Sequence, residues 1–227
     1  HEAGTPGTYE VLIDEEDIGL VAKPSPEAPG LEVVPATIDL SGAELQLVDV
    51  KGRERRLRKA LRKYLKNHDV DYVILDCPPS LGLLTLNALV AADEVLLPIQ
   101  CEYYALEGVT QLMRTIEAVR HAMNKELRLG SILMTMFDGR TRLSTQVDEE
   151  VRTHFARETM STRIPRSVRV SEAPSYSRSV LTYEPTSAGA VAYREAAAEF
   201  AKRHACDEHS TNTSGVKHPD ASDTKKG

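Results

Sequence analysis

A carboxylate at the end of an apolar run is the first feature of this sequence that could do chemistry. Residues 72–75 (Tyr-Val-Ile-Leu) suit a strand that is covered on both faces, and Asp76 follows them directly. Ligands of open parallel sheets bind beyond the carboxyl ends of the strands. The run therefore approximates a Walker B pattern, whose carboxylate holds the Mg2+ of a nucleoside triphosphate, usually through water. An aspartate that only caps a loop or a helix fits the run equally well.

The residues that follow Asp76 favour the Walker B interpretation over a capping role. Pro78 and Pro79 leave the backbone stiff and short of donors, whereas Ser80 and Gly82 let a helix begin with free N–H groups close to an anion. Such a segment suits a switch that responds to a terminal phosphate. We therefore expect Asp76 to take part in magnesium binding and Pro78, Pro79 and Ser80 to act with it in catalysis.

Alternating strands and helices would position these residues. Apolar runs predict strands at 72–75, 94–99, 129–134 and 160–164. Apolar periodicity predicts helices at 38–48, 53–66, 82–91, 106–123, 144–155 and 188–203. This alternation indicates βαβ units and an α/β fold, a doubly wound, mostly parallel sheet with helices on both faces.

Composition narrows the class of protein. The 227 residues are 41% hydrophobic and 27% charged, which predicts one globular domain over 1–204, and the polar residues 205–227 predict a disordered tail. No run approaches the roughly 18 apolar residues of a membrane span, so we expect a cytoplasmic protein with no membrane partner.

A net charge of -6 leaves room only for a local basic face. The cations between Lys51 and Lys66 are interpreted as a solvated helix face.

Longer matches extend from the segment around Asp76. Residues 76–85 (Asp-Cys-Pro-Pro-Ser-Leu-Gly-Leu-Leu-Thr) closely resemble the Walker B and switch II segment of the ParA/Soj partitioning ATPases, which belong to the MinD/ParA class of P-loop NTPases. The resemblance continues through 98–108, 135–141 and 164–176 and covers roughly residues 5–203. It implies an ATPase that uses ATP and Mg2+ and forms a homodimer in its ATP state. It also implies non-specific DNA binding at the nucleoid and stimulation by a ParB/Spo0J-type centromere-binding protein.

The resemblance also implies roles for particular residues. Asp76 would be the magnesium and switch aspartate, and Glu102 would lie near the nucleotide and the dimer interface. The adenine side of the pocket would be lined by Thr135, Met136, Asp138, Pro165 and Arg166. DNA phosphates would be bound by Arg140 and Arg169, together with the nearby Arg142, since arginine neutralises phosphate without reading bases. Loop arginines that are solvated or paired to an acid are the alternative.

The phosphate-binding loop of this family does not occur in the printed sequence. No Gly-x-x-x-x-Gly-Lys-[Ser/Thr] run is present, and in the family this loop lies near the N-terminus, together with the first strand. We therefore expect an N-terminally truncated family member, whose first strand and P-loop precede His1, and which is inactive as an ATPase by itself.

Three other classes of protein are weighed against the same sequence motifs. A non-catalytic remnant of the family, acting as a regulatory interaction module, would show the same missing loop. A MinD-like positioning ATPase would carry a C-terminal amphipathic helix, which the residues after Arg203 do not show. A Rossmann dehydrogenase would need Gly-x-Gly-x-x-Gly after a strand, and no such run occurs.

Overall fold

The computed structural model describes residues 4–103 and 105–212, and the side chains of 105–107 and 206–212 fall outside this description. The helices of the first half are α1 (Thr8–Ile13), α2 (Ile18–Val21), α3 (Leu40–Leu47), α4 (Arg56–Tyr64) and α5 (Leu83–Ala91). Those of the second half are α6 (Ala105–Ala122), α7 (Arg142–His154), α8 (Val168–Glu172), α9 (Val180–Tyr183) and α10 (Ala188–Asn212). Short 3-10 helices cover Arg53–Arg55 and Ala173–Tyr176.

A parallel sheet forms the centre of the second half. Its strands are β3 (Glu94–Gln100), β4 (Arg128–Phe137) and β5 (Thr159–Pro165), in the spatial order β3-β4-β5. Two shorter strands, β1 (Lys23–Pro24) and β2 (Glu32–Val33), pair antiparallel in a separate hairpin. The three predicted strands from residue 94 onward are therefore confirmed, and α6 and α7 form the crossovers between them.

Helices cover both faces of this sheet, as the sequence predicts. Ile132 and Met134 of β4 lie in one buried cluster with residues of α6 and α7. Leu133, between them, points to the opposite face and packs against α10, where it meets Ala192 and Ala196. Because successive side chains of a strand alternate between faces, a single strand feeds both cores. The α/β, doubly wound architecture is confirmed.

The helices of the first half of the chain form a small hydrophobic cluster of their own beside the sheet. Val11, Ile18 and Val21 of α1 and α2 form a small cluster with Tyr64 of α4. This unit is linked to α5 by Asn87, whose fully buried amide donates to the Arg53 carbonyl and accepts from the Leu57 amide. The link fixes α4 beside the helix that follows Asp76.

The predicted strand at 72–75 is wrong. The chain forms no ladder with any described strand there, and Val73 and Ile74 are 44% and 85% exposed. The ring of Tyr72 contacts Phe200 and His204 of α10. A strand needs a partner as well as an apolar run, and the described residues supply no strand beside this segment.

The last helix is longer than predicted. It continues to Asn212, past the predicted end at Arg203, so the first residues of the predicted tail are helical. Residues 213–227 of that tail lie outside the described residues. Within the described part of the chain, no helix has the length and apolar character needed to cross a membrane.

Candidate functional site

The carboxyl ends of the three parallel strands meet at one edge of the sheet. Just past the end of β3, the Cys101 amide donates to the Thr135 carbonyl at 3.1 Å. Just past the end of β5, the Arg166 amide donates to the Phe137 carbonyl at 3.0 Å. These bonds bring the segments after β3, β4 and β5 side by side, as expected for a ligand-binding edge. We call this region the carboxyl edge.

An ion pair spans the carboxyl edge. Glu102 after β3 and Arg166 after β5 approach within 3.7 Å, and their side chains are 61% and 55% exposed. An exposed pair of this kind contributes little to stability and exchanges partners readily. The structure therefore brings together Glu102 and Arg166, two residues that the sequence predicts at the site, and both side chains remain accessible to a ligand.

Asp138 and Arg140 form a second pair in the loop after β4. The Arg140 guanidinium donates to both carboxylate oxygens of Asp138, at 2.9 and 2.7 Å. This contact, with a further bond from the Arg140 amide, lowers the pKa of Asp138 to about 2. The Arg140 side chain is nonetheless 88% exposed. The loop thus presents a cation whose direction is set by its neighbouring acid.

The end of β4 has an unusual backbone. Met136 adopts φ 53°, in the left-handed region that side chains with a Cβ rarely occupy. The register between β4 and β5 shifts at this point, so that Phe137 pairs with Pro165. The preceding Thr135 is regular, and its hydroxyl donates to the Ile99 carbonyl at 3.1 Å. Backbone strain of this kind is concentrated at functional sites.

Asp76 makes no direct contact with the carboxyl-edge group among the described residues. It is exposed, as are Pro78, Pro79 and Ser80, and within the described residues no hydrogen bond or ion pair joins it to Thr135, Asp138 or Arg166. The segment is anchored further on, where the Thr85 hydroxyl donates to the Ser80 carbonyl at 2.6 Å. The sequence predicts one site, and among the described residues no hydrogen bond or ion pair links residues 76–80, the switch segment, directly to the carboxyl edge.

Glu44 is a residue that the sequence reasoning missed. Its carboxylate accepts from the Leu84 amide at 3.1 Å, at the first turn of α5. A Cβ at Gly82 would lie 2.3 Å from the same carboxylate, so a side chain at this position would have to displace Glu44 from the start of α5. The sequence predicts N–H groups that face a phosphate at the start of this helix, whereas here the Leu84 amide is bonded to a carboxylate from α3. No local signal marks Glu44, because the contact joins residues 40 positions apart.

A second group of residues that the sequence did not reveal joins α7 to β5. The buried carboxylate of Asp148 accepts from Arg152 at 3.0 Å and from Arg163 at 2.6 Å. Burial raises the pKa of Asp148, but the two arginines outweigh that effect and lower it overall. Arg163 also lies over the ring of Phe137, 5.4 Å from its centroid. The four-residue spacing of Asp148 and Arg152 could have revealed half of this group.

The arginines predicted to bind DNA are not clustered by direct contact. Arg169 donates to Glu172 at 2.9 Å, three residues along α8, which is the local pairing that the sequence left open. Arg142 is exposed at the start of α7, and the described residues offer it no acidic partner. Together with Arg140 and Arg166, these side chains remain accessible to an anion.

The sequence is similar to a known protein family and to named bacterial proteins. Residues 3–129 match the family model described as "AAA domain" (AAA_31). The sporulation initiation inhibitor protein Soj of Bacillus subtilis is 48% identical over 193 residues, which cover 85% of this chain and 75% of that protein. The chromosome partitioning protein ParA of Myxococcus xanthus is 49% identical over 195 residues, covering 86% and 68%. This chain belongs to the ParA/Soj family of partitioning ATPases.

Solved structures place the ParA/Soj chain in the same fold. A cobyrinic acid a,c-diamide synthase from Mycobacterium smegmatis with bound ADP and magnesium is 38% identical, with a TM-score of 0.69 over 85% of this chain and 70% of that one. The cell division ATPase MinD of Pyrococcus furiosus is 21% identical, with a TM-score of 0.67 over 86% and 74%. The latter likeness shows the fold alone.

Proposed function

We propose that this ParA/Soj family chain serves in the segregation of chromosomes or plasmids, as part of an ATPase that uses ATP and Mg2+. The observation that carries this proposal is the high identity, over most of the chain, to relatives named for chromosome partitioning. The proposal includes a cytoplasmic, nucleoid-associated protein that dimerises in its ATP state. In that state it binds DNA without sequence preference and is stimulated by a ParB-type partner.

The residues of the switch segment fit a magnesium ion. Asp76 offers an exposed carboxylate with no ion pair to any described residue, and Mg2+ is held through one or two carboxylates plus waters and phosphate oxygens. When bound, Mg2+ would neutralise charge that develops on the transferred phosphoryl group. Asp76 would hold the ion through water, and Pro78 and Pro79 would restrict the positions that this carboxylate can take.

The carboxyl edge fits the base side of a nucleotide. Its segments after β4 and β5 lie side by side, so Thr135, Met136 and Pro165 offer backbone groups and short apolar contacts there. Asp138 stays ionised because Arg140 lowers its pKa, and it therefore acts only as a hydrogen-bond acceptor. The Glu102–Arg166 pair would orient the loop after β3, where the family resemblance places the dimer interface.

DNA contact is proposed for Arg140, Arg142 and Arg169. Each is exposed. The surface pair of Arg169 with Glu172 costs little to exchange for a phosphate, whereas at Arg140 a phosphate competes with the bidentate contact to Asp138. Arginine contacts to phosphate carry no sequence information, which suits a protein that binds any DNA.

The 227 residues alone are proposed not to hydrolyse ATP. The printed sequence contains no Gly-x-x-x-x-Gly-Lys-[Ser/Thr] run, and backbone N–H groups and the lysine of that loop provide most of the phosphate contacts in P-loop enzymes.

A DNA-binding measurement tests the proposed function. A fusion protein, with the phosphate-binding-loop segment of Bacillus subtilis Soj placed before His1, is titrated into labelled duplex DNA with MgATP or MgADP. Binding should require MgATP, and the triple substitution R140Q/R142Q/R169Q should weaken it at least ~10-fold and reduce the salt slope by about 0.9 per lost contact. A control triple with the same charge change, R114Q/R157Q/K202Q, should bind normally. Equal binding by the two triples would contradict the assignment.

A further inference from the structure

Thr85 carries a buried hydroxyl that has no role in the site described above. The residue lies in the first turn of α5, it is 6% exposed, and its hydroxyl donates to the Ser80 carbonyl at 2.6 Å. Among the described residues, this is the hydrogen bond that joins the switch segment to a helix. A valine would fill the same space without a donor, so packing alone does not account for the hydroxyl.

The start of α5 is fixed from outside the helix. Its N-cap, Gly82, has no side chain to bond the free N–H groups of the first turn, and Glu44 of α3 accepts from the Leu84 amide instead. Further along α5, the fully buried amide of Asn87 donates to the Arg53 carbonyl at 2.9 Å. These contacts tie α5 to two other elements, so the Thr85 hydroxyl is a donor in a fixed position.

The chain between Ser80 and Asp76 is a stiff arm. Pro78 and Pro79 each have φ locked near about −65°, so few soft torsions separate the two ends of this stretch. Residues 76–80 are all exposed, so the arm is held mainly at its ends. The direction in which Asp76 points therefore depends on the position of the Ser80 peptide, which Thr85 fixes.

Loss of the Thr85 hydroxyl would release the arm without unfolding the helix. Ser80 is exposed, so its carbonyl can accept from water once Thr85 no longer donates. The contacts of Glu44 and Asn87 with α5 do not involve this hydroxyl and would remain. The order of the switch segment is thus separable from the stability of α5.

We propose that Thr85 is a positioning residue for the ATPase reaction. Its hydrogen bond fixes the pivot at Ser80, and the proline arm transmits that position to Asp76. Mg2+ demands near-ideal octahedral geometry, so a carboxylate that holds it through water has to be kept in one place. The inference rests on the proposed function, because Thr85 acts on the reaction only through Asp76.

The first measurement uses the full 227-residue chain without nucleotide. NMR relaxation gives the order parameters of the Leu81 and Gly82 amides, which should fall from a rigid ~0.85 to below about 0.6 in Thr85→Val and stay high in Thr85→Ser. The matched control is Thr159→Val, since Thr159 is 4% exposed and its hydroxyl donates to the Phe155 carbonyl at 2.7 Å, at the start of β5. This control should leave both amides rigid.

The second measurement is MgATP turnover by the fusion protein, at a temperature where thermal melts show every variant folded. Thr85→Val should lower kcat at least ~10-fold and change KM for ATP by less than about twofold, because a misplaced group slows the reaction without weakening ground-state binding. Thr85→Ser should restore kcat. A purely structural role would instead lower the melting temperature and leave kcat unchanged, as expected for Thr159→Val.

Two results would overturn the positioning role. One is an arm that remains equally rigid in Thr85→Val, and the other is an equal loss of kcat in Thr85→Val and Thr159→Val. Turnover that depends on Asp76 but is unaffected by Thr85→Val would sink this inference and leave the proposed function standing. Turnover that survives Asp76→Ala would contradict the proposed function itself, so the two failures are distinguishable.

Discussion

In the loop after β4, Arg140 lowers the pKa of Asp138, and Asp138 sets the direction of the Arg140 side chain. The guanidinium holds the Asp138 carboxylate in its charged form, and the pKa of Asp138 falls from an ordinary 3.8 to about 2. Asp138 in turn fixes the direction of an otherwise exposed arginine. A phosphate that binds Arg140 has to compete with this pair, so the loop links the base side of the site to the proposed DNA surface.

Removing the cation should therefore change the titration of the acid. In an R140Q variant, we expect the pKa of Asp138 to rise from about 2 toward 3.8, because its largest stabilising contact is lost. Carboxyl-carbon NMR during an acid titration measures this directly. The R142Q variant, which removes a nearby cation without a contact to Asp138, is the control. An Asp138 that titrates alike in all three proteins would show that Arg140 does not hold it in solution.

At the scale of elements, α3 and α5 are joined by one carboxylate. Glu44 satisfies the Leu84 amide, one of the free N–H groups at the start of α5, and thereby anchors the helix that follows the switch segment. Its negative charge also suits the positive end of the helix dipole. The switch segment is thus held at its helical end while the residues around Asp76 remain exposed.

Loss of this carboxylate should loosen the start of α5. We expect Glu44→Ala to destabilise the protein by about 1 kcal/mol, as for the loss of a helix cap, and to speed amide exchange at Leu84. Hydrogen exchange and denaturant unfolding measure the two effects. Glu195→Ala, at an exposed position of α10, should alter neither. Unchanged exchange at Leu84 in the Glu44 variant would rule out the cap.

The elements that could be predicted from the sequence are those whose partners lie close along the chain. β3, β4 and β5 follow one another through α6 and α7, so their apolar runs identified them correctly. Residues 72–75 carry an equally apolar run, but a strand also needs a neighbour, which local pattern does not reveal. Glu44 and Arg163 were missed for the same reason, since their contacts with Leu84 and Asp148 are between different elements.

At the scale of the whole molecule, α10 packs on one face of the sheet and also binds β5, its outermost described strand. The Glu199 carboxylate accepts from the amides of Ser161 and Thr162 on β5 and from Arg203. Burial raises the pKa of Glu199, but these hydrogen bonds outweigh it and bring the pKa down to about 2 from an ordinary 4.5. An edge strand that would otherwise expose free donors is thus satisfied by a helix side chain.

This arrangement predicts how stability depends on pH. Because the folded pKa of Glu199 is depressed, its stabilisation is fully present above pH 4.5 and is lost as pH falls toward about 2. Glu199→Gln should cost about 2 kcal/mol at pH 7, and the difference from wild type should shrink across that acid range. Urea unfolding at several pH values, with Glu195→Gln as the control, measures it. A difference that is constant with pH would contradict the prediction.

The central claim is that the chain contributes the switch aspartate of a partitioning ATPase, and MgATP turnover tests it most directly. The 227-residue chain should show no turnover above background, whereas the fusion that carries the Soj phosphate-binding loop should hydrolyse MgATP. Asp76→Ala in the fusion should reduce that rate by at least ~100-fold, since the carboxylate holds the ion that stabilises the transition state. Turnover by the fusion that is unaffected by Asp76→Ala, or a folded fusion with no turnover at all, would contradict the account.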